Sequence, residues 1–474
     1  MKRKVWLLLP AVPVLYLLIL GTHVAFTFSH AKSYISSLKG QYSQTELQNK
    51  SKNLATDINH VLSDLNILGV KQIVQAFGFN FYNILTEISA SLQARPLMLG
   101  IDTPKKYLIA FQNSAEARGT GGILGAFAEV EINKGNISII RTGSNSSLYS
   151  LKDIPVKVPA EFTKLYGKNP AILQNSNLSP HFPYGAEIWM GLWKKQYGEQ
   201  LDGVIAIDPS ALSYVLKATG PINLKNNSTI TSENVVSETL QVAYKKYETN
   251  NIARKQYLVD IINATAAKIM ILNYSKFEMA KAIKKGIIEN RIILYSRNSQ
   301  AENLLADVRL GGYLKTSQNN EYRAVIENID ASKLDYYLQK TVTIESKSCK
   351  KPNQTQVKVR LTNTLKTGIG LPAYVLTRAD KGKPLNLVTG QHRFKLFIYG
   401  PTNSILVSVA RDNRTNGLGG ASTERGRPIY VADVDLAPGQ SENLLANFAG
   451  GVGKITFVDQ PLVRPTLLKI KGGC

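Results

Sequence analysis

Three changes of hydrophobic period divide this chain. Between Leu47 and Leu65 the inward positions are Leu47, Ser51, Leu54, Ile58, Val61 and Leu65, in alternating steps of four and three that predict an amphipathic helix. Ser43-Gln44-Thr45-Glu46 has the form of a capping box at its start. A second helix is predicted over Val70–Gln93, with Phe77, Phe79, Phe81 and Tyr82 turned either to the first helix or to a membrane surface. Arg95-Pro96 ends this region, read as a helical stalk over residues 31–95.

From Lys105 the period shortens. YLIAF, GAFAEVEI and NISII read as strands, with the polar loop Gln112–Gly122 and the turn Asn133-Lys134-Gly135-Asn136 between them. GTGGILG superficially resembles a dinucleotide-binding fingerprint, but a strand rather than a helix follows it, which rejects that fold. A helix over Tyr184–Tyr197 carries Trp189 and Trp193 as core residues. A buried strand, Leu201–Asp208, leads into a helix that begins at Pro209 and stops at Gly220-Pro221. Helices over Tyr257–Met270 and Lys281–Asn290 and the strand IILYS follow. This alternation predicts an α/β domain over 100–312. Beyond Gly311-Gly312 only short alternating strands recur, separated by Pro352-Asn353, Pro401-Thr402-Asn403, Pro438-Gly439 and Gly450-Gly451, and they predict a β-sandwich over 320–474.

The N-terminus bears on compartment. Met1-Lys2-Arg3-Lys4 precedes an uncharged run, Val5–Phe28, of about 24 residues, long enough to span a bilayer. The flanking charge predicts a single-pass anchor at 5–28, residues 1–4 in the cytoplasm and everything from about Ser29 outside the cell membrane. The alternative is a signal peptide cut near Ser29-His30-Ala31. A net charge of +23, from 57 Lys+Arg against 34 Asp+Glu, implies a polyanionic neighbour. On this topology that neighbour is lipid headgroups or an anionic glycopolymer, and nucleic acid drops out. Cys349 and Cys474 are the two cysteines, without zinc spacing; they either pair outside the membrane or stay free.

No HExxH, GxSxG or Walker motif is present, which argues against zinc proteases, serine hydrolases and P-loop enzymes. Candidate chemistry rests on Glu116, Arg118, Arg141, Asp202, Asp208 and Arg254, each beside a loop. Lys245, Lys246, Arg254 and Lys255 form either a phosphate clamp or a solvated helix face. The two aspartates flank a strand, where a capping role competes with a catalytic one.

At QNSAEARGTGG, NSNLSPHFP, LDGVIAIDPSALSYVLKATGPI, RKQYLVDIINATAAKI, GGYL, SKLDYYL and QPLVRP the chain resembles domain of unknown function 4012, a family found mostly in actinobacterial envelope proteins. His181 stands where an acidic residue is expected. The resemblance implies work on envelope polysaccharide. A more distant likeness, in the anchor, DGVIAID and ATGPI, is to the LytR-CpsA-Psr phosphotransferases, which move glycopolymers from polyprenyl-pyrophosphate carriers with arginines and Mg2+. It implies pyrophosphate neutralisation by Arg118, Arg141 and Arg254, with Glu116 or Asp208 as metal ligand or base. Thr142 after Arg141 departs from that family's serine-proline-arginine-aspartate motif. Two functions are thus carried forward: an anchored factor acting on lipid-linked or wall-bound glycopolymer by phosphoryl transfer, and a non-catalytic envelope protein whose sandwich docks a partner. They differ in whether the three arginines converge with a carboxylate.

Overall fold

The computed structural model describes residues 22–34, 44–67, 81–271, 273–316, 320–348, 353–366, 370–376, 388–412, 417–451 and 453–472. Cys349, Cys474, Phe77, Phe79, Ser43, the expected cytoplasmic residues 1–4 and residues 5–21 of the expected anchor lie outside them, as do the side chains of Phe81 and Tyr82. Among the described residues no helix is long and apolar enough to cross a membrane. Residues 22–34 are helical, and His23 and His30 pair with Asp64 and Asp57 of α1 (Gln44–Ile67). The end of the Val5–Phe28 run therefore joins a helical layer.

The four-three spacing does place Leu54, Ile58, Val61 and Leu65 on one buried stripe of α1, against Leu85 and Leu92 of α2 (Phe81–Met98). Pro96 does not end α2, which runs to Met98. Nor are the two helices a free stalk: Ala90 and Met98 pack with Leu294, Leu305 and Val308 of the α/β layer.

That layer is a mixed sheet in the order β3-β2-β1-β4-β7, from β1 (Lys105–Asn113), β2 (Ile123–Asn133), β3 (Asn136–Ser144), β4 (Gly203–Ile207) and β7 (Ile292–Ser296). β1 and β2 are antiparallel, which is why the glycine-rich loop between them returns a strand; β1 and β4 are parallel. Between sheet strands come α3 (Ala160–Tyr166), α4 (Phe182–Tyr197), α5 (Pro209–Thr219), the hairpin β5 (Ile222–Asn223) and β6 (Thr229–Ile230), α6 (Asn251–Met270) and α7 (Lys276–Ile288). α8 (Ser299–Ala306) follows β7. Trp189 and Trp193 of α4 are buried in the main core.

The C-terminal half is two five-stranded sheets. One holds β8 (Glu321–Asn328), β11 (His392–Tyr399), β13 (Gly420–Glu424), β14 (Arg427–Leu436) and β16 (Thr456–Phe457); the other holds β9 (Leu338–Ser348), β10 (Gln354–Asn363), β12 (Ile405–Arg411), β15 (Ser441–Ala449) and β17 (Leu467–Lys471). Alternate residues, such as Phe394, Leu396 and Ile398 against Val357, Val359 and Leu361, fill the core between them. The intervening Phe397, Tyr399, Val325 and Ile429 turn the other way, into the core of α4 and β1. One sheet is therefore covered on both faces, and the two halves share a core.

Candidate functional site: a cationic cleft at the seam

The β1–β2 loop is wedged into this seam. Ala117 is wholly buried in the core of the sandwich, its N–H donating to Asp335 Oδ2 (2.9 Å) and its carbonyl accepting from Asn328 N (3.1 Å). The glycines serve this close threading. A Cβ on Gly119 would lie 2.0 Å from the Leu178 carbonyl oxygen, and one on Gly122 2.3 Å from Asn113 backbone atoms. With Ala117 pinned inward, Glu116 and Arg118 are carried to the wall of a cleft of about 660 Å³. Arg254 and Lys255 of α6, Lys333 and Lys395 complete its charged lining, with Tyr166, Tyr244, Tyr374 and Glu327.

Glu116 is clamped between two cations. Lys333 Nζ donates to Oε2 at 2.6 Å and Arg118 Nη2 to Oε1 at 2.9 Å. Burial alone would push its carboxyl up, but Lys333 and Arg118 outweigh burial and hold it below the usual carboxylate range. Conversely, burial opposes the charge of Lys333, yet Glu116 carries its ammonium above the usual lysine range. Arg118 sends Nε–H to the Gln174 carbonyl (2.8 Å), Nη1 to the carbonyls of Ala117 (2.8 Å) and Asn328 (3.1 Å), and Nη2 to Glu116 and to Asn175 Oδ1 (3.2 Å). A guanidinium has five N–H donors. All five are committed within the protein, so Arg118 gives the cleft charge and leaves no donor for a ligand.

Arg254 differs. It donates through Nη2 to Asn251 Oδ1 and lies 4.3 Å from the ring centres of both Tyr244 and Tyr374. Asn250 caps α6 through Ala253 N (2.9 Å), which fixes the turn that carries Arg254 and Lys255. The other guanidinium nitrogens of Arg254 make no protein hydrogen bond among the described residues. Lys255 is beside it; burial, then the Arg254 charge, lowers its ammonium pKa. Glu327, on β8, is raised well above the ordinary carboxyl range by burial, and its Oε1 has no partner among the described residues. Burial thus favours its protonated form, which is a hydrogen-bond donor.

Two of the arginines singled out in the sequence meet here, and the third does not. Arg141, on β3, lies 3.6 Å from Glu129 and 3.7 Å from Glu199, over the Tyr197 ring at 3.9 Å, and lines no part of the cleft. Its cross-strand register with Glu129 decides this. Asp208 is also elsewhere: Oδ1 caps α5 through Ala211 N (2.7 Å) and Oδ2 meets Arg291 Nη1 (2.5 Å). Asp202 holds a corner, accepting from Lys106 N at 2.9 Å. His181 accepts from Leu314 N at 3.2 Å through Nδ1, and burial, with Arg425 and Arg323 nearby, holds its pKa well below that of a free imidazole. Of the four-cation cluster only Arg254 and Lys255 face the cleft; Lys245 and Lys246 are exposed. Lys333, Lys395 and Glu327 had no signal of their own, though Lys333 lies in the SKLDYYL segment.

The donors at hand do not suit Mg2+. Both oxygens of Glu116 are taken by cations, and burial disfavours the ionised form of Glu327. Among the described residues no three acidic, histidine or cysteine side chains gather as a metal cluster.

Residues 102–244 match the family described as Protein of unknown function (DUF4012). The DUF4012 segment takes in Glu116, Arg118, Arg141 and Asp208, whereas Arg254, Lys255 and Lys333 lie beyond it. No curated protein matches the chain. Among solved structures, protein gbs0355 from Streptococcus agalactiae is 16% identical, over 46% of this chain and 77% of its own, with a TM-score of 0.26. A transcriptional regulator from Enterococcus faecalis is 12% identical, over 46% and 77%, with a TM-score of 0.26. TagV from Bacillus subtilis is 12% identical, over 46% and 86%, with a TM-score of 0.23. At these TM-scores nothing about this chain's chemistry follows from the three.

Proposed function

We propose that the seam cleft binds a phosphate-bearing anion of the cell envelope: a glycopolymer phosphate, free or linked to a lipid carrier. In this reading the chain is held outside the cell by its N-terminal apolar run. One observation carries the proposal: five cationic side chains line the cleft against two carboxyls, Glu116 and Glu327, and burial pushes the second well above the ordinary carboxyl range. A low-dielectric concavity with that imbalance concentrates anions. Arg254 offers uncommitted, planar donors suited to phosphate oxygens, and burial of Glu327 favours its protonated form, which does not repel them.

Binding is better supported than phosphoryl transfer. The transfer reading needed three arginines around a free carboxylate. Arg141 is absent from the cleft, Arg118 has spent its donors and Glu116 is neutralised on both oxygens. The test is calorimetric titration of the full-length protein with inorganic pyrophosphate and with a short-chain prenyl pyrophosphate, at two salt concentrations. Wild type should bind both, more weakly at high salt, and Arg254→Ala/Lys255→Ala should lose at least about tenfold. Equal binding by wild type and the double variant sinks the proposal.

A further inference from the structure

Some 16 residues along α6 from Arg254, about 24 Å at the helical rise, the surface changes character. Met270, Ile271, Phe277 and Ile288 are all exposed, Ile271 and Phe277 to about two thirds of their surface (69% and 67%). Between them stand Lys276, Lys281, Lys284 and Lys285, exposed, and Lys268, half-buried. The inner face of α7 is closed: Ala282 and Gly286 are buried, and a Cβ on Gly286 would lie 2.5 Å from Ile292 Cδ1. The outer face is therefore what a firmly docked helix leaves over. It holds Phe277, Lys281, Lys284 and Ile288 at three- and four-residue spacing.

We propose that this face, from the end of α6 through α7, docks on an anionic phospholipid surface. The charge balance selects that partner. From residue 268 to 289 five lysines face two glutamates. Glu278 is already paired with Lys281 (2.8 Å), and Glu289 accepts from Tyr214 (2.6 Å) and Arg291 (3.0 Å). The apolar side chains are flanked by lysines whose long stems let the ammonium groups stay at headgroup level while Phe277 and Ile271 dip below it. Lys281 Nζ lies 4.4 Å from the Phe277 ring centre, so cation and ring approach one lipid surface together. Lysines in such a position read headgroup charge rather than a shaped partner. The patch is separate from the cleft, and neither reading depends on the other.

The experiment uses the full-length chain with vesicles of phosphatidylcholine alone or with about a third phosphatidylglycerol, and follows amide hydrogen exchange over residues 268–288. Whatever the N-terminal apolar run does, it does in both vesicles, so the difference reports charge. Exchange should slow about threefold or more with the anionic vesicles only. Lys276→Gln/Lys281→Gln/Lys284→Gln/Lys285→Gln should abolish the slowing, and so should Ile271→Ser/Phe277→Ser, while exchange in β9 and β10 stays unchanged in both. Equal exchange with the two vesicle types, as a protein-binding face would give, overturns the proposal. So does a slowing that survives loss of the lysines.

Discussion

Replacing Arg118 and Arg254 one at a time by alanine separates what holds the seam together from what it offers a ligand. Arg118→Ala removes five hydrogen bonds, among them those to the carbonyls of Gln174, Ala117 and Asn328, although the Ala117 carbonyl keeps the Asn328 N–H. It also leaves Glu116 with one cation instead of two. A neutral hydrogen bond contributes about 1 kcal/mol net, and breaking a buried ion pair costs roughly 3–5 kcal/mol. Because Lys333 still neutralises Glu116, these do not simply add; a loss of about 4 kcal/mol is expected. Arg254→Ala removes one hydrogen bond and the contact with two tyrosine rings and breaks no ion pair, so about 1–2 kcal/mol is expected. Pyrophosphate affinity should respond in the opposite order. Losing a charged donor pair to a phosphate costs about 1.5–3 kcal/mol, or roughly 10- to 150-fold in Kd. Urea unfolding at pH 7 and calorimetric titration of the folded variants measure the two quantities. If Arg118→Ala unfolds within about 1 kcal/mol of wild type, or Arg254→Ala binds pyrophosphate as wild type does, the division of labour is wrong.

Glu116→Gln keeps the shape and deletes the charge between Lys333 and Arg118, and should cost about 3 kcal/mol at pH 7. The folded carboxyl is depressed, so its contribution stands in full above the unfolded value of about 4.3 and is lost as pH falls through the lower, folded one. The deficit should therefore shrink between urea titrations at pH 7 and pH 3. His181 runs in the depressed direction too, but for a base. Burial, then Arg425 and Arg323, keep the folded ring neutral, while the unfolded ring takes a proton below about pH 6.5, so wild-type stability declines as pH drops under that value. His181→Asn should flatten that decline between pH 7 and 5. Glu302 is raised, to about 7, chiefly by burial. Its folded form keeps the proton while the unfolded form releases it near pH 4.3, so stability falls as pH rises from there through 7, by roughly 3–4 kcal/mol in all. A Glu302→Gln variant that still shows this fall would remove Glu302 as its cause.

Local pattern read well wherever one face of an element meets one core. The four-three stripe of α1, the tryptophans of α4 and the alternation in β10 each declare a single buried face, and each is buried as read. Pattern failed where an element is covered twice. Phe397 and Tyr399 look like the outer face of a sandwich strand, and only the folded chain shows α4 waiting for them. Glu116 and Arg118 were legible as a charged, glycine-rich loop, but their partner Lys333 is 217 residues away and carried no local mark. Arg141 was misplaced because its role follows from cross-strand register with Glu129, which a one-dimensional order of arginines does not contain. Asp208 had a capping signature, Pro209 directly after it, and that reading describes its hydrogen bond to Ala211.

The buried triad of Lys333, Glu116 and Arg118 gains little by itself, since removing three charges from water opposes what their pairing returns. Its effect lies in where it leaves the remaining charge. With Ala117 locked into the sandwich core and Arg118 bonded to the backbone on both sides of the seam, the triad fixes two cations and one anion as a rigid wall. The surplus cations with donors to spare, Arg254 and Lys255, then sit on the first turns of α6, where the helix dipole adds to their charge. A ligand that bound through Arg118 would have to break the seam to do so; one that binds through α6 meets a preformed, unspent set of donors. Affinity for anions should therefore follow substitutions on α6, and cooperativity of unfolding should follow substitutions in the triad.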